Sequence, residues 1–241
     1  MICLFSDFGF NGPYLGQMKS VLYQQAPKAV VIDLMHDAPA FNSKASAHLL
    51  AALVLSVPKD SIVLAVVDPG VGSSRKGVVL RADSRWYVGP DNGLFDVVAQ
   101  RSHAAQWYEI LYENPDASYS FHGRDIFAPV AAMLHHEVTL DKYLRPFQKA
   151  GQYRFGDELA EIIYIDRFGN LMTGIRFSGF DQLMSVWFND VNIKQANVFS
   201  DVAKGDAFYY NNSQGLLEIA INSGSANKYF DATIGDSVGV H

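Results

Sequence analysis

Four short loops in the sequence combine residues that can exchange protons or fix a polar ligand. A carboxylate or an imidazole can accept a proton during a reaction, and an arginine can hold a carboxylate in a fixed orientation. Glycine in the same loops lets the backbone approach a ligand closely. One such loop is more often an ordinary turn, but four together favour a site. The loops are Ser6-Asp7-Phe8-Gly9, Asp68-Pro69-Gly70-Val71-Gly72, Gly89-Pro90-Asp91-Asn92-Gly93 and His122-Gly123-Arg124-Asp125.

The segments that precede these loops indicate how the loops are brought together. The pattern predicts strands over residues 1–5, 29–34 and 61–67, separated by helices over residues 14–25 and about 43–57. Strands that alternate with helices are typical of an α/β domain. Because ligand crevices in open α/β sheets lie outside the carboxyl ends of the strands, we expect the loops to converge on one site.

The pattern changes after about Leu144. Before it, a hairpin is predicted over residues 77–88 and helices over residues 93–101 and 126–136. After it, short strands are predicted over residues 161–165, 183–188, 207–210, 216–221 and 232–240. We therefore predict an α/β domain with a mainly parallel sheet over residues 1–150, and a smaller all-β, barrel-like domain over residues 151–241.

The composition argues against several classes of partner. The chain has 241 residues, of which 49% are hydrophobic and 18% charged, and no segment approaches the run of about 18 apolar residues that spans a membrane. The net charge is −6 and the basic residues are scattered, which argues against a nucleic-acid partner. The sequence starts as a core strand and not as a signal peptide, so we expect a cytoplasmic protein. Cys3 is the single cysteine and is expected to be buried.

Common catalytic and phosphate-binding motifs are absent from the sequence. No G-x-G-x-x-G follows a strand, and there is no G-x-x-x-x-G-K-[ST] motif to hold nucleotide phosphates. The H-E-x-x-H motif is also missing, which removes the commonest zinc-protease interpretation.

Six segments, in order and across nearly the whole chain, resemble the hydroxide adenosyltransferases that act on S-adenosyl-L-methionine (SAM). That family is related to the SAM-dependent fluorinases and chlorinases. The resemblance is carried by 4-LFSDFG-9, 68-DPGVGSSR-75, 89-GPDNG-93, 121-FHGRD-125, 166-DRFGN-170 and 212-NSQG-215.

The resemblance implies hydrolysis of SAM to adenosine and methionine without a cofactor. It implies an α/β domain followed by a β-barrel, and a homotrimer whose sites lie between the N-terminal domain of one subunit and the C-terminal domain of its neighbour. The family's Asp-Arg-His triad, which handles the water, matches Asp68, Arg75 and His122. The halogenases have tyrosine at the position of Asp68, so this residue favours water over halide.

The substrate contacts are also expectations from the resemblance. Asp7 is expected to bind the ribose diol, Asp166 the methionine ammonium, and Asn170 an adenine edge. Ser213 is expected to bind the methionine carboxylate, although Gln214 follows it where the halogenases often carry arginine. Backbone near Asn222 to Ser225, which includes Ser223, is expected to line the adenine pocket. The aromatic residues Phe168, Trp187 and Phe188 are expected to be core residues of the barrel.

The chemistry of a sulfonium substrate assigns roles to the triad. The thioether leaves as a neutral group, so the difficulty lies in activating and placing the water. We expect Asp68 to orient the water, Arg75 to hold that carboxylate by a forked ion pair, and His122 to accept or relay the proton. The choice of proton acceptor stays open between Asp68 and His122, since a carboxylate paired with arginine is a weaker base.

Three further functions remain open at this point. One is a halogenase-type transferase on the same scaffold, and another is a non-catalytic regulatory protein that binds SAM or adenosine. The third is a metal-dependent phosphohydrolase whose magnesium or manganese would be held by Asp7, Asp68, Asp91 and His122. The resemblance favours a site without metal.

Overall fold

The chain forms two compact units. The computed structural model describes residues 1–136, 141–149, 153–180 and 185–241. One unit comprises Met1–Phe155 and the other Gly156–His241. The predicted boundary between residues 150 and 151 lies outside the described residues. An α/β unit followed by a β unit confirms the predicted fold class.

A mixed sheet forms the centre of the N-terminal unit. In the described residues its order is β2-β1-β3-β5-β4-β6-β7. The pairs β1/β2, β1/β3 and β3/β5 are parallel, whereas β4/β5, β4/β6 and β6/β7 are antiparallel. Strands β6 and β7 were not predicted, because their sequences AQWYEI and LRPF mix apolar with polar residues. The strands are β1 (Ile2–Ser6), β2 (Val31–Met35), β3 (Ile62–Val66), β4 (Gly77–Ala82), β5 (Arg85–Pro90), β6 (Ala105–Ile110) and β7 (Leu144–Phe147).

Helices cover this sheet because its central strands are apolar on both faces. Every residue of β1 and β3 is buried, as expected for parallel strands inside an α/β domain. The buried cluster beside them includes residues of α1 and α4, two helices that pack together. The Asn42 side chain caps α2 by accepting a bond from the Ala45 amide at 3.0 Å. The helices are α1 (Pro13–Gln25), α2 (Ser43–Leu53), α3 (Asp96–Arg101) and α4 (Ala128–His135).

The C-terminal unit is a nearly closed sheet. Its order in the described residues is β14-β10-β11-β12-β13-β9-β8. Backbone bonds then lead from β8 back towards β14, from the Ile162 amide to the Asp236 carbonyl at 2.8 Å and from the Val238 amide to the Ala160 carbonyl at 2.9 Å. The elements are β8 (Leu159–Ile165), β9 (Leu171–Arg176), β10 (Val186–Phe188), β11 (Val191–Gln195), β12 (Ala207–Asn211), β13 (Leu216–Ile221), helix α5 (Ala226–Phe230) and β14 (Gly239–Val240).

The last predicted strand, over residues 232–240, is wrong for most of its length. Only Gly239–Val240 is a strand, because Asp236 accepts bonds from the amide and hydroxyl of Thr233 and folds that segment into a turn. Residues 183 and 184 of another predicted strand lie outside the described residues. None of the helices in the described parts of the chain is long and apolar enough to cross a membrane. Cys3 is buried in β1, as predicted.

Candidate active site

Two carboxylates follow neighbouring parallel strands of the N-terminal sheet. Asp7 comes directly after β1, and Asp68 comes two residues after β3. The Asn92 side chain donates a bond to the Val67 carbonyl at 2.8 Å and so fixes the chain beside Asp68. Asp7 accepts a bond from the Phe41 amide at 3.1 Å. The strand ends therefore bring both carboxylates to one edge of the sheet, as predicted.

Arg75 joins Asp68 to His122. Its Nη2 atom lies 2.6 Å from Asp68 Oδ2 and 3.2 Å from His122 Nδ1. Its Nη1 atom donates to the Lys76 carbonyl at 2.5 Å, and its Nε atom is buried without a hydrogen-bond partner. The predicted forked ion pair is therefore wrong: one nitrogen carries the contact to Asp68, since the other terminal nitrogen holds the backbone.

The bond from Arg75 fixes the tautomer of His122. A guanidinium can only donate hydrogen bonds, so Nδ1 of His122 must be the acceptor in this contact. In the neutral imidazole the proton then lies on Nε2, which becomes a donor. Asp68 presents the complementary group, because its Oδ1 atom is buried and has no hydrogen-bond partner of good geometry among the described residues, although the nearby Gly70 amide lowers the pKa of this carboxyl. The cluster thus offers an acceptor at Asp68 Oδ1 and a donor at His122 Nε2.

Burial and charge determine the protonation states in this cluster. The side chains of Asp68 and Arg75 are only 4% and 9% exposed. Burial raises the pKa of Asp68, and the charge of Arg75 offsets part of that rise. Burial and the nearby Arg75 charge lower the pKa of His122, which favours its neutral form. Burial also raises the pKa of Asp7, and the negative charge of Asp68 adds to that effect.

The carboxylates and the imidazole open onto a cavity of about 300 Å³. Four aromatic rings form much of its wall, with the Phe121 ring centroid 5.8 Å from Phe8 and 5.3 Å from Tyr14. We did not predict this aromatic wall, although Phe8 and Phe121 adjoin Asp7 and His122 in the quoted motifs. The cavity is lined by Asp7, Phe8, Tyr14, Ala40, Phe41, Val66, Asp68, Val71, Ser120, Phe121, His122 and Gly123.

A network of polar contacts holds the loop that carries His122. Arg124 forms two bonds with Asp125, at 2.6 and 2.8 Å, and a third with Gln17 of α1 at 2.7 Å. Asp125 also accepts a bond from the Ser118 amide at 2.9 Å. The His122-Gly123-Arg124-Asp125 motif therefore supplies the imidazole and the ion pair that anchors its loop.

A second cavity, of about 910 Å³, lies in the C-terminal unit. It gathers four of the predicted contact residues, Asp166, Asn170, Ser213 and Ser223. Asn222 is not among its lining residues, because its side-chain amide donates to the Val202 carbonyl at 2.8 Å. The lining comprises Asp166, Phe168, Asn170, Met172, Phe199, Tyr210, Asn212, Ser213, Gln214, Glu218, Ile221, Ser223 and Gly224.

The turn after β8 places polar groups at this cavity. Asp166 accepts bonds from the amides of Phe168 and Asn170 at 2.8 and 2.9 Å, and from the Asn170 side chain at 2.9 Å. The prediction that Phe168 is a core residue is wrong, since 75% of it is exposed where the turn projects it. The same prediction is wrong for Trp187, which is 37% exposed, whereas Phe188 is buried in the core as predicted.

The four residues of the hypothetical phosphohydrolase metal site are not arranged as a ligand group. Lys149 Nζ lies 3.1 Å from Asp91 and 2.6 Å from Asp96, so Asp91 belongs to an ion-pair network. Across the described ranges of the chain, no group of three or more His, Cys, Asp or Glu side chains could hold a metal ion.

A buried carboxylate, tied by arginine to an imidazole at the ends of parallel strands and beside an aromatic cavity, defines an enzyme site suited to proton handling. The chain belongs to the SAM hydroxide adenosyltransferase family. The family's N-terminal domain model matches residues 2–143 and its C-terminal domain model residues 160–239. This confirms the resemblance that the motifs indicated.

Individual relatives agree with the family assignment. An (R)-S-adenosyl-L-methionine hydrolase of Thermus thermophilus is 35% identical to this chain, over 92% of each protein. A fluorinase of Nocardia brasiliensis is 22% identical, over 100% of this chain and 96% of that protein. The crystal structure of an uncharacterized conserved protein from Thermotoga maritima superposes with a TM-score of 0.88 at 32% identity, and covers 100% of this chain and 99% of that one.

Proposed function

We propose that this protein hydrolyses SAM to adenosine and L-methionine, by attack of a water molecule on the 5′-carbon of the ribose. The observation that carries the proposal is the state of Asp68. One of its oxygens is held by Arg75, the other is buried without a hydrogen-bond partner, and the residue lines the cavity. Such an oxygen is suited to accept a hydrogen bond from a water and then its proton.

The cluster supplies both contacts that an attacking water needs. The water donates one hydrogen to Asp68 Oδ1 and accepts a bond from Nε2–H of His122, and a lone pair remains for the ribose carbon. As the new C–O bond forms, the C–S bond breaks and its electron pair stays on the sulfur of methionine. Asp68 takes the proton, since the Nδ1 lone pair of His122 is already engaged by Arg75. His122 orients the water.

The proposed substrate contacts follow the family resemblance. Asp7 binds the ribose diol at the N-terminal cavity. Asp166, Asn170 and Ser213 bind the ammonium, adenine and carboxylate groups, and the backbone near Asn222 and Ser223 lines the adenine pocket. The protein acts as a cytoplasmic homotrimer and needs no cofactor. Asp68 in place of the halogenase tyrosine supports water as the nucleophile.

The reaction is tested with purified protein that has been stripped of metal and incubated with SAM in a buffer without halide. Chromatography should show equal amounts of adenosine and methionine, and neither product with an Asp68→Ala variant. SAM binding without product would favour the regulatory protein. Activity that appears only with added chloride or fluoride would favour the halogenase-type transferase, and activity that appears only with added metal would favour a metal-dependent hydrolase.

The pH dependence of turnover follows from the two titrating groups. The mechanism needs Asp68 ionised and His122 neutral, and both conditions are lost as the pH falls. Because the pKa of Asp68 is raised, its carboxylate begins to be protonated at a higher pH than that of an ordinary aspartate. The lowered pKa of His122 keeps the imidazole neutral to lower pH. We expect kcat to fall on the acid side only, as one coupled titration. A kcat that increases towards acid pH would contradict this assignment.

Substitution of Asp7 should affect substrate binding more than chemistry. Asp7→Asn keeps the bond from the Phe41 amide through its carbonyl oxygen but replaces the second carboxylate oxygen by a donor. We expect KM for SAM to increase about 10–100-fold, the cost of one or two charge-assisted hydrogen bonds, with kcat within about threefold. Steady-state kinetics measure both values. A large loss of kcat at unchanged KM would instead place Asp7 in the chemical step.

A further inference from the structure

A buried glutamate lies in the C-terminal cavity, and the proposed mechanism does not use it. Glu218 of β13 is only 4% exposed and lines the cavity. Its carboxylate is held by two neutral donors, the Tyr210 hydroxyl at 2.5 Å and the side-chain amide of Asn212 at 2.7 Å. Neither lysine nor arginine is among the described lining residues. Burial of an ionised carboxyl group costs free energy that its hydrogen bonds must offset.

The contact between Glu218 and Asn212 leads to the turn that carries Ser213. Asn212 donates to Glu218 through its side-chain nitrogen, and its Oδ1 atom accepts bonds from the amides of Gln214 and Leu216 at 3.0 and 2.9 Å. The Asn212 side chain therefore fixes the backbone on the far side of Ser213. Glu218 keeps the Asn212 amide in the orientation that presents Oδ1 to the turn.

The contact between Glu218 and Tyr210 leads to the aromatic wall of the same cavity. Tyr210 and Glu218 are paired across strands β12 and β13. The Tyr210 ring lies 5.7 Å from the Phe199 ring, centroid to centroid, and both residues line the cavity. One carboxylate thus connects a polar wall to an aromatic wall.

We propose that Glu218 is a positioning residue of the SAM site, which holds the Ser213 turn and the Tyr210 ring in their binding geometry. The inference rests on the proposed function, since it assigns Ser213 a substrate contact. It adds a residue that sets affinity for the methionine and adenine parts of the substrate and does not touch the reacting carbon.

Two substitutions separate positioning from other roles. In Glu218→Gln, the amide oxygen can accept from Asn212 and the amide nitrogen can donate to Tyr210, so both contacts survive without the charge. Glu218→Met has a similar length but can make neither contact. The matched control is Thr173→Val, because Thr173 is fully buried in the same sheet, bonds the Leu217 carbonyl at 2.8 Å and does not line the cavity.

The measurements are KM and kcat for SAM, together with the dissociation constant of SAM by calorimetry on an Asp68→Asn background. We expect Glu218→Met to increase KM and the dissociation constant about tenfold or more, with kcat within about threefold, because misplaced contacts lose binding. Glu218→Gln and Thr173→Val should stay within about threefold of the parent.

The outcomes distinguish this inference from the proposed function. If the parent hydrolyses SAM but Glu218→Met binds as well as Thr173→Val, the positioning role is wrong. If Glu218→Gln is as damaging as Glu218→Met, the charge itself acts and the positioning role is also overturned. If Glu218→Met does not fold, Tyr210→Phe and Asn212→Ala remove the two donors singly, and unchanged affinity in both overturns the inference. A parent that neither binds nor hydrolyses SAM refutes both proposals.

Discussion

Replacement of Asp68 by asparagine is expected to lower kcat for SAM hydrolysis by about 10²–10⁴-fold, the usual contribution of a positioned general base. The amide keeps the size of the side chain, and its oxygen can still accept a bond from Arg75, whose Nη2 atom lies 2.6 Å from Asp68 Oδ2 in the parent protein. The atom presented to the water becomes a hydrogen-bond donor and cannot take a proton. We therefore expect KM to change little while kcat falls.

The matched control for this prediction is Asp91→Asn. Asp91 lies in a neighbouring loop, pairs with Lys149 and does not line the N-terminal cavity. Its substitution should leave kcat within about threefold, because Asp91 does not line the cavity and Lys149 keeps its ion pair with Asp96. Equal losses in both variants would mean that the carboxylates act together, as in a metal site, and would contradict the assignment of Asp68.

Replacement of Arg75 by methionine is expected to affect both activity and stability. The ion pair with Asp68 is buried, and removal of one partner from a buried pair costs about 3–5 kcal/mol. Without the guanidinium, burial raises the pKa of Asp68 further, and a protonated carboxyl cannot act as a base. His122 also loses the donor that fixes its tautomer. We expect kcat to fall about 10²-fold or more near neutral pH, with recovery as the pH rises.

Arg75→Lys serves as the partial control for this variant. Lysine retains a positive charge near Asp68 but has only one nitrogen, whereas Arg75 contacts Asp68 and His122 through Nη2 and the Lys76 carbonyl through Nη1. Its kcat should lie between those of the parent and Arg75→Met, without the shift of the pH profile. Denaturant unfolding measures the stability loss. A stable and fully active Arg75→Met variant would show that Arg75 is an ordinary loop residue.

The sequence predicted the position of the N-terminal site because strand direction determines where loops meet. Asp7 and Asp68 both follow apolar runs that read as buried strands, and parallel pairing brings their ends together. The triad itself came from the family resemblance, since 47 residues separate Arg75 from His122 and no local pattern links them. The forked ion pair was predicted wrongly because the Lys76 carbonyl takes one guanidinium nitrogen, a contact that residue types do not reveal.

The C-terminal cavity was harder to predict from the sequence. Glu218 lies in the run LLEIAI, where a single carboxylate in a strand is typically solvent-facing. Its burial depends on the register that pairs it with Tyr210 and on the side chain of Asn212, and neither can be read from one strand. Phe168 was assigned to the core on composition, but the bonds of Asp166 project it from a turn.

The most direct test of the central claim is hydrolysis of SAM in water enriched with ¹⁸O, followed by mass spectrometry of both products. Attack of water on the ribose 5′-carbon predicts one ¹⁸O atom in the 5′-hydroxyl of adenosine and none in methionine. Unlabelled adenosine, label in the amino-acid product, or cleavage of a different bond at sulfur would contradict the account.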